Sequence, residues 1–248
     1  PDFDHHDPGA GHPECPARLS AISDRLLAGG LDAVLHHRLA PMVDEIGLER
    51  VHTEAHIGRV LSLADSTARV WLDPDTVASG PSVSAALRAA GAGVDAVNCA
   101  LAGGVGLAFC AVRPPGHHAE AGRAMGFCLF NNIAIAAAHA LASGLSRVAV
   151  VDFDVHYGNG TARIFAGRED VLMLSSYQED AYPNWVGDPS ALNLIDVPLA
   201  AGSDGVVMRA AVEAAFTPAL DAFRPEMILI SAGFDAHAMD PRAGLRWT

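Results

Sequence analysis

The sequence is short of three things, and each shortage narrows what the chain can do. Of 248 residues only 16 are Lys or Arg, against 29 Asp or Glu, for a formal net charge of −13. Nucleic acid and anionic membranes both require a basic face, so direct binding to either is not expected. The surplus of negative charge favours the approach of cationic substrates instead. Cysteine is also scarce: Cys15, Cys99, Cys110 and Cys128 show no CxxC spacing. Free thiols in a reducing cytoplasm are the expectation, rather than disulfides. Long apolar runs are missing too. The most apolar stretches, "NNIAIAAAHALASGL" and "VSAALRAAGAGVDAVNCALAGG", are Ala-rich, are broken by polar residues and read as buried helices rather than bilayer spans. No basic-then-apolar leader opens the chain. It starts at Pro1 and runs directly into "DFDHHDPGAGHPE", so it is expected to begin inside a longer protein.

Hydrophobic residues make up 50% of the chain and charged ones 18%, which suits a large core and argues against disorder. No repeat, low-complexity tract or linker divides the sequence, and a single domain over residues 1–248 is expected. Short β-branched runs alternate with longer helical patterns, the signature of βαβ units and a parallel sheet. Strands are predicted at 106–112, 147–154, 170–176 and 226–233, with 192–199 more ambiguous. Helices are predicted over 16–29, 48–64, 82–102, 127–143, 160–167 and 204–222. Ser203 or Asp204 can cap the last helix, which ends before Pro225. Strands so continuously apolar need helices on both faces, so the fold class is α/β: a doubly wound domain with a mainly parallel central sheet.

In open α/β sheets, sites form beyond the carboxyl ends of the strands. Three strand ends carry reactive residue types: "RPPGHH" after 106–112, "DFDVHYGNG" after 147–151, and "FDAHAMDP" after 226–233. Asp152, Asp154 and His156 alternate, so an extended backbone points all three to one side. Asp154 and His156 would give an oxygen and a nitrogen to one metal, with Asp152 deeper and Asp235 supplying a third ligand from another strand end. Two carboxylates and an imidazole leave an open position for water, as catalytic zinc requires. The competing reading is an acidic strand-end cluster that caps the following helix. The adjacent His117 and His118, presented by the rigid "RPPG", suit proton transfer near neutral pH. As a bare motif they would be two loop histidines; candidate metal ligands at the same edge favour a catalytic pair.

"RPPGHH", "GFCLFNN", "VDFDVHYGNGT" and "SAGFDAH-MDP" together resemble the zinc-dependent histone deacetylase family, which includes bacterial deacetylases and acetylpolyamine amidohydrolases. The resemblance runs from "HPECPARL" to "DPRAGLRWT", and "FNN" and "GNGT" look more like its class II and bacterial members than its class I. It implies the arginase–deacetylase fold and zinc held by Asp154, His156 and Asp235. It also implies His117 paired with Asp152 and His118 paired with Asn159, with His118 the main general base and acid because an Asp partner favours a charged imidazolium more than Asn does. Gly126, Phe127 and Tyr182 fall where the family lines its acyl-lysine tunnel, with Cys128 in the inner wall and Arg18 near an inner cavity. A monovalent cation, K+ or Na+, is implied at Asp152, Asp154, His156, Ser175 and Ser176.

The implied activity is removal of acetyl or other acyl groups from lysine side chains or related amines, on an acetyl-lysine peptide or protein or an acetylpolyamine. Hydroxamates are expected to inhibit it. The residues 182–190, "YPNWVGDPS", read as part of a rim, where Trp185 either contacts substrate or is a buried structural residue. The family places a catalytic tyrosine, or in some members a histidine, in a glycine-rich segment downstream of the last ligand. The sequence ends at Thr248 before such a segment, and Tyr157, Tyr177 and Tyr182 belong to other motifs, so truncation at both ends is the expectation. A zinc-binding module that recognises acylated amines without turnover is the alternative. A two-manganese ureohydrolase is less favoured, since after Asp235 only His237 and Asp240 remain as extra ligands. Substrate, acyl-chain length and oligomeric state stay open.

Overall fold

The structure is a computed structural model that describes residues 2–185 and 187–248. The chain forms two compact units, residues 1–135 and 136–248.

In the first unit, short α1 (Asp2–His5) and α2 (Ala17–Ala28) lead through a 3-10 turn (Asp32–Val34) to α3 (Glu45–Glu49) and α4 (Glu54–Leu61). The helix predicted over 48–64 is in fact broken at 50–53. Thr53 turns extended and caps α4, its side chain accepting from the His56 amide, and that local hydrogen bond competes with a continuous helix. A two-stranded antiparallel hairpin, β1 (Val70–Asp73) and β2 (Thr76–Ala78), precedes the 22-residue α5 (Gly80–Leu101). Ala85, Ala86, Ala89 and Ala90 form the buried stripe of α5. A Cβ on Gly91 would stand 2.0 Å from the Pro41 carbonyl oxygen, so the glycine is what lets the 41–43 segment lie against the helix.

The run 106–112 is not a strand: among the described residues no ladder includes it, and Leu107 is 95% exposed. An apolar, β-prone run becomes a strand only where a neighbour supplies hydrogen bonds. The predicted helix 127–143 starts later, as α6 (Asn132–Ala142). The Asn131 side chain accepts from the Ala134 amide at 3.0 Å, and the residues before it form tight turns described below.

The second unit is built on a four-stranded, wholly parallel sheet in the order β5-β4-β3-β6, where β3 is Val148–Asp152, β4 Val171–Gln178, β5 Leu194–Leu199 and β6 Met227–Ser231. Alternation along β4 assigns its two faces. Leu172 and Leu174 pack with Phe216, Met208 and Val212 of α8 (Gly205–Phe223), whereas Met173 packs with Ala162 of α7 (Asn159–Phe165) and with Tyr157 and Tyr177. Helices thus cover both faces of β4, as so apolar a strand requires, whereas on β6 Ile228 and Ile230 stay exposed. Asp204 caps α8, accepting from the Val206 and Val207 amides. The chain steps outward from β3 through β4 to β5, then returns by α8 to place β6 on the other side of β3. The order therefore reverses at β3 and β6, where a crevice opens beyond the carboxyl ends. No helix among the described residues is long and apolar enough to cross a membrane.

Candidate metal centre and histidine pair

Asp152 closes β3 and is fully buried, and its Oδ1 accepts from the Asp154 amide at 3.0 Å. That bond turns the chain out of the strand and presents the next residues at its end. Asp154 Oδ1 accepts from the His156 amide at 2.8 Å, and Asp235 Oδ1 accepts from the Val155 amide at 3.0 Å. The β3 and β6 ends are thereby tied through side chains. His156 Nδ1 lies 3.0 Å from Asp154 Oδ1 and 3.0 Å from Asp235 Oδ2. One ligand atom from each of Asp154, His156 and Asp235 lies within 4.8 Å of the others, and among the described residues this is the only such group of three or more His, Cys, Asp or Glu.

Burial works against a charge on His156, but hydrogen bonds and attraction from Asp154 and Asp235 outweigh it and push the imidazole up to about 10. The negative field that holds a proton there suits a divalent cation taken up in exchange for it. The donor set fits zinc: two carboxylate oxygens and one ring nitrogen. Ser175 faces Asp152 in the parallel register, and the hydroxyls of Ser175 and Ser176 are buried with no hydrogen-bond partner among the described residues. Buried oxygens of this kind are what a monovalent cation takes as ligands.

In the first unit, His117 and His118 are 6% and 4% exposed, with ring centroids 3.9 Å apart. A Cβ on Gly126 would stand 2.3 Å from His118 Cδ2 and 2.6 Å from its Cγ, so the imidazole rests directly on the glycine backbone. Gly126 and Phe127 are the centre of a tight turn closed by paired bonds between Met125 and Cys128, at 3.2 and 2.9 Å. Both central residues have positive φ, 55° and 67°, as a type I′ turn demands. For a phenylalanine that conformation costs about 1–2 kcal/mol.

The histone deacetylase domain model matches residues 12–248. The chain belongs to the histone deacetylase family. It is 36% identical to histone deacetylase 14, chloroplastic, of Arabidopsis thaliana, over 96% of this chain and 62% of that protein. It is 37% identical to the histone deacetylase-like amidohydrolase of Pseudomonas aeruginosa, over 96% of this chain and 64% of the relative. The crystal structure of the HDA15 HD domain superposes with a TM-score of 0.94 at 35% identity, covering all of this chain and 73% of that one. The fold is accordingly the arginase–deacetylase fold. The chain spans just under two thirds of the length of these two curated relatives.

The remaining expected residues of this histone deacetylase family member fall as follows. Asn159 is buried at the start of α7. Tyr182 stands edge-on to His156, with centroids 6.1 Å apart. Trp185 is half-buried and packs on Tyr157 at 5.7 Å beneath the Arg163 guanidinium at 4.2 Å; Val186, within the predicted rim, lies outside the described residues. The Cys128 thiol is buried and donates to the Gly126 carbonyl. Among the described residues the four cysteines form no disulfide.

Arg18 is 52% exposed and pairs with Glu14 one turn away. The fully buried arginine is Arg113, immediately before "PPGHH". Its Nε and Nη2 each donate to Glu14 at 2.6 Å, and Nη1 donates to the Phe3 carbonyl. His6 joins the same carboxylate at 3.2 Å and Ser82 at 2.8 Å.

Sequence reasoning also missed His52. Its Nε2 accepts from the Asn131 amide at 2.9 Å, which leaves Nδ1 to donate to the Glu120 and Ala121 carbonyls. Burial, then the neighbouring His56, push His52 down to about 4. Spacing gives no hint of either network, because each joins residues far apart in the chain.

Proposed function

We infer that this protein is a zinc-dependent hydrolase that removes acetyl or other acyl groups from lysine side chains or related amines. The observation that carries the reading is the convergence of Asp154, His156 and Asp235 at the crevice beyond β3 and β6, in a chain of the histone deacetylase family. Zinc held there would supply Lewis-acid polarisation of the acyl carbonyl and a lowered pKa for attacking water. The protein's own groups do the rest. His118 accepts the water proton as the carbon–oxygen bond forms and returns it to the departing amine as the carbon–nitrogen bond breaks. His117 supports it electrostatically, and Asp152 and Asn159 orient the pair. Gly126, Phe127 and Tyr182 line the path of the acyl chain, with Arg18 near the inner cavity.

Ser175 and Ser176, with Asp152, Asp154 and His156, would hold a K+ or Na+ ion. The hydroxyls of the two serines, buried without a hydrogen-bond partner among the described residues, support that assignment. One catalytic metal fits better than two, because His237 and Asp240 use their side chains to accept from the Met239 and Arg242 amides. The free cysteines suit a reducing compartment such as the cytoplasm. Acetyl-lysine peptide and acetylpolyamine both remain candidate substrates.

The test is hydrolysis of an acetyl-lysine peptide and an acetylpolyamine by the zinc-loaded protein, with and without a hydroxamate, alongside zinc stoichiometry. Hydroxamate-sensitive turnover that disappears in D154A and H156A supports the reading. One zinc per chain with no turnover on either substrate leaves the metal ligands standing and favours a narrower substrate or a module that binds acylated amines; turnover that survives in D154A and H156A overturns the reading.

A further inference from the structure

The turn that seats His118 is not self-sufficient. In a two-residue turn the central amides point away from the closing bonds, and here they sit in the interior: Gly126 is buried and Phe127 half-buried. Buried amides need acceptors, and both come from residues fifty-one positions upstream. The Gly126 amide donates to Asp75 Oδ1 at 3.1 Å, and the Phe127 amide donates to Thr76 Oγ1 at 3.0 Å. The hydroxyl of Thr76, a residue only 1% exposed, donates to Asp75 Oδ1 at 2.9 Å. Hydroxyl, carboxylate and both amides are thus satisfied as one group.

The third support is His12. Its Nε2 lies 3.3 Å from the Asp75 carbonyl oxygen, and its ring stands edge-on to Phe127 with centroids 4.7 Å apart. Thr76 begins β2, every residue of which is buried, and Asp75 immediately precedes it, so the Thr76 acceptor sits on a buried strand and the Asp75 acceptor at its start.

We propose that Thr76 and Asp75 are positioning residues for proton transfer: they fix the Gly126–Phe127 turn, and through Gly126 they fix the seat of the His118 imidazole. The proposal rests on the hydrolase reading for its effect on turnover, though not for its effect on the ring. Removing the Thr76 acceptor frees a turn already at unfavourable φ. With a Gly126 Cβ position only 2.3 Å from the ring, no slack exists for the turn to shift without moving His118.

The experiment compares T76V, which keeps the shape and loses the hydroxyl, with T76S, which keeps the hydroxyl. The readouts are kcat, KM, the pH profile of kcat, and the His118 ring resonances in histidine-labelled protein. For T76V the expected result is a kcat loss on the order of tenfold to a hundredfold with KM held within about twofold, a displaced pH profile and shifted His118 signals. T76S should restore all of these. Should T76V fail to fold, D75A at its half-buried position takes its place with the same expectation. Unchanged His118 resonances in T76V overturn the proposal, as does T76S impaired as badly as T76V, since that would mean volume and not the hydroxyl matters. If no variant, including the unmodified protein, turns over substrate, the failure lies with the hydrolase reading or the substrate chosen, and the resonances alone decide this proposal.

Discussion

A Cβ on Gly233 would stand 2.1 Å from Asp154 Oδ2 and 2.6 Å from the Asp154 Cα. Glycine at 233 is therefore what lets the loop after β6 close over the loop after β3, and that closure brings Asp235 within reach of His156. Gly233→Ala must push Asp154 away while leaving all three ligands chemically intact. Zinc affinity should fall about 10–100-fold, the usual effect of disturbing what orients a ligand. Competition against a chromogenic chelator measures it. Wild-type affinity in the variant would mean that the close approach does not set the ligand geometry.

How far the sequence alone carried depended on the range of the interaction. The strands β3, β4 and β6 were legible because each is apolar enough to be buried on both sides, and the ligands were legible because they follow those strands within a few residues. The start of α6 was not. "GFCLFNN" reads as an apolar helix start, but Gly126 and Phe127 are held in a turn by Asp75 and Thr76, which no local pattern exposes. The run 106–112 has a strand's composition and lacks a partner. The split at 50–53 turned on one threonine hydroxyl. Arg113 and Glu14, ninety-nine positions apart, look like ordinary surface charges until folding buries them together.

That pair has a consequence for acid stability. Burial pushes the Glu14 carboxyl up, but hydrogen bonds from His6 and Arg113, with their charges, more than reverse this and hold it at about 2 against an ordinary 4.5. A carboxyl depressed so far contributes about 3 kcal/mol of stability at neutral pH. The contribution is complete above pH 4.5 and is lost as pH falls through about 2. Glu14→Gln leaves Arg113 buried without its counter-charge and should cost about 3–5 kcal/mol at pH 7. The gap from the unmodified protein should narrow steadily in denaturant titrations between pH 4.5 and 2. A gap that stays constant with pH would show that the carboxylate charge is not what Arg113 needs.

His52 works in the opposite range. Burial, then His56, depress it from 6.5 to about 4, so between those values the unfolded chain binds more protons than the folded one. Stability then falls as pH drops from 6.5 toward 4, by about 3 kcal/mol in all. His52→Gln should be less stable at pH 7, because Nε2 no longer accepts from Asn131 as the ring does. It should also flatten the dependence of unfolding free energy on pH across that interval. A slope identical to that of the unmodified protein would place the titration elsewhere.

Asp196 offers a stabilising change. On β5 it faces Tyr157, whose hydroxyl donates to Oδ2 at 3.3 Å, while its buried Oδ1 has no hydrogen-bond partner among the described residues. Burial pushes the carboxyl up to about 6, only partly countered by the tyrosine, and burial, then the nearby Asp196 charge, in turn push the Tyr157 phenol well above its ordinary range. A raised carboxyl destabilises the fold when ionised: the penalty is absent below pH 3.8, grows through about 6 and is complete above it. Asp196→Asn keeps an oxygen for the Tyr157 hydroxyl and removes the charge. Partial exposure to solvent screens the effect, so the gain at pH 8 should be about 1 kcal/mol, and melting temperatures of the two proteins should converge at pH 4. A variant no more stable at pH 8 than at pH 4, relative to the unmodified chain, would mean that the Asp196 charge is already neutralised by something other than Tyr157.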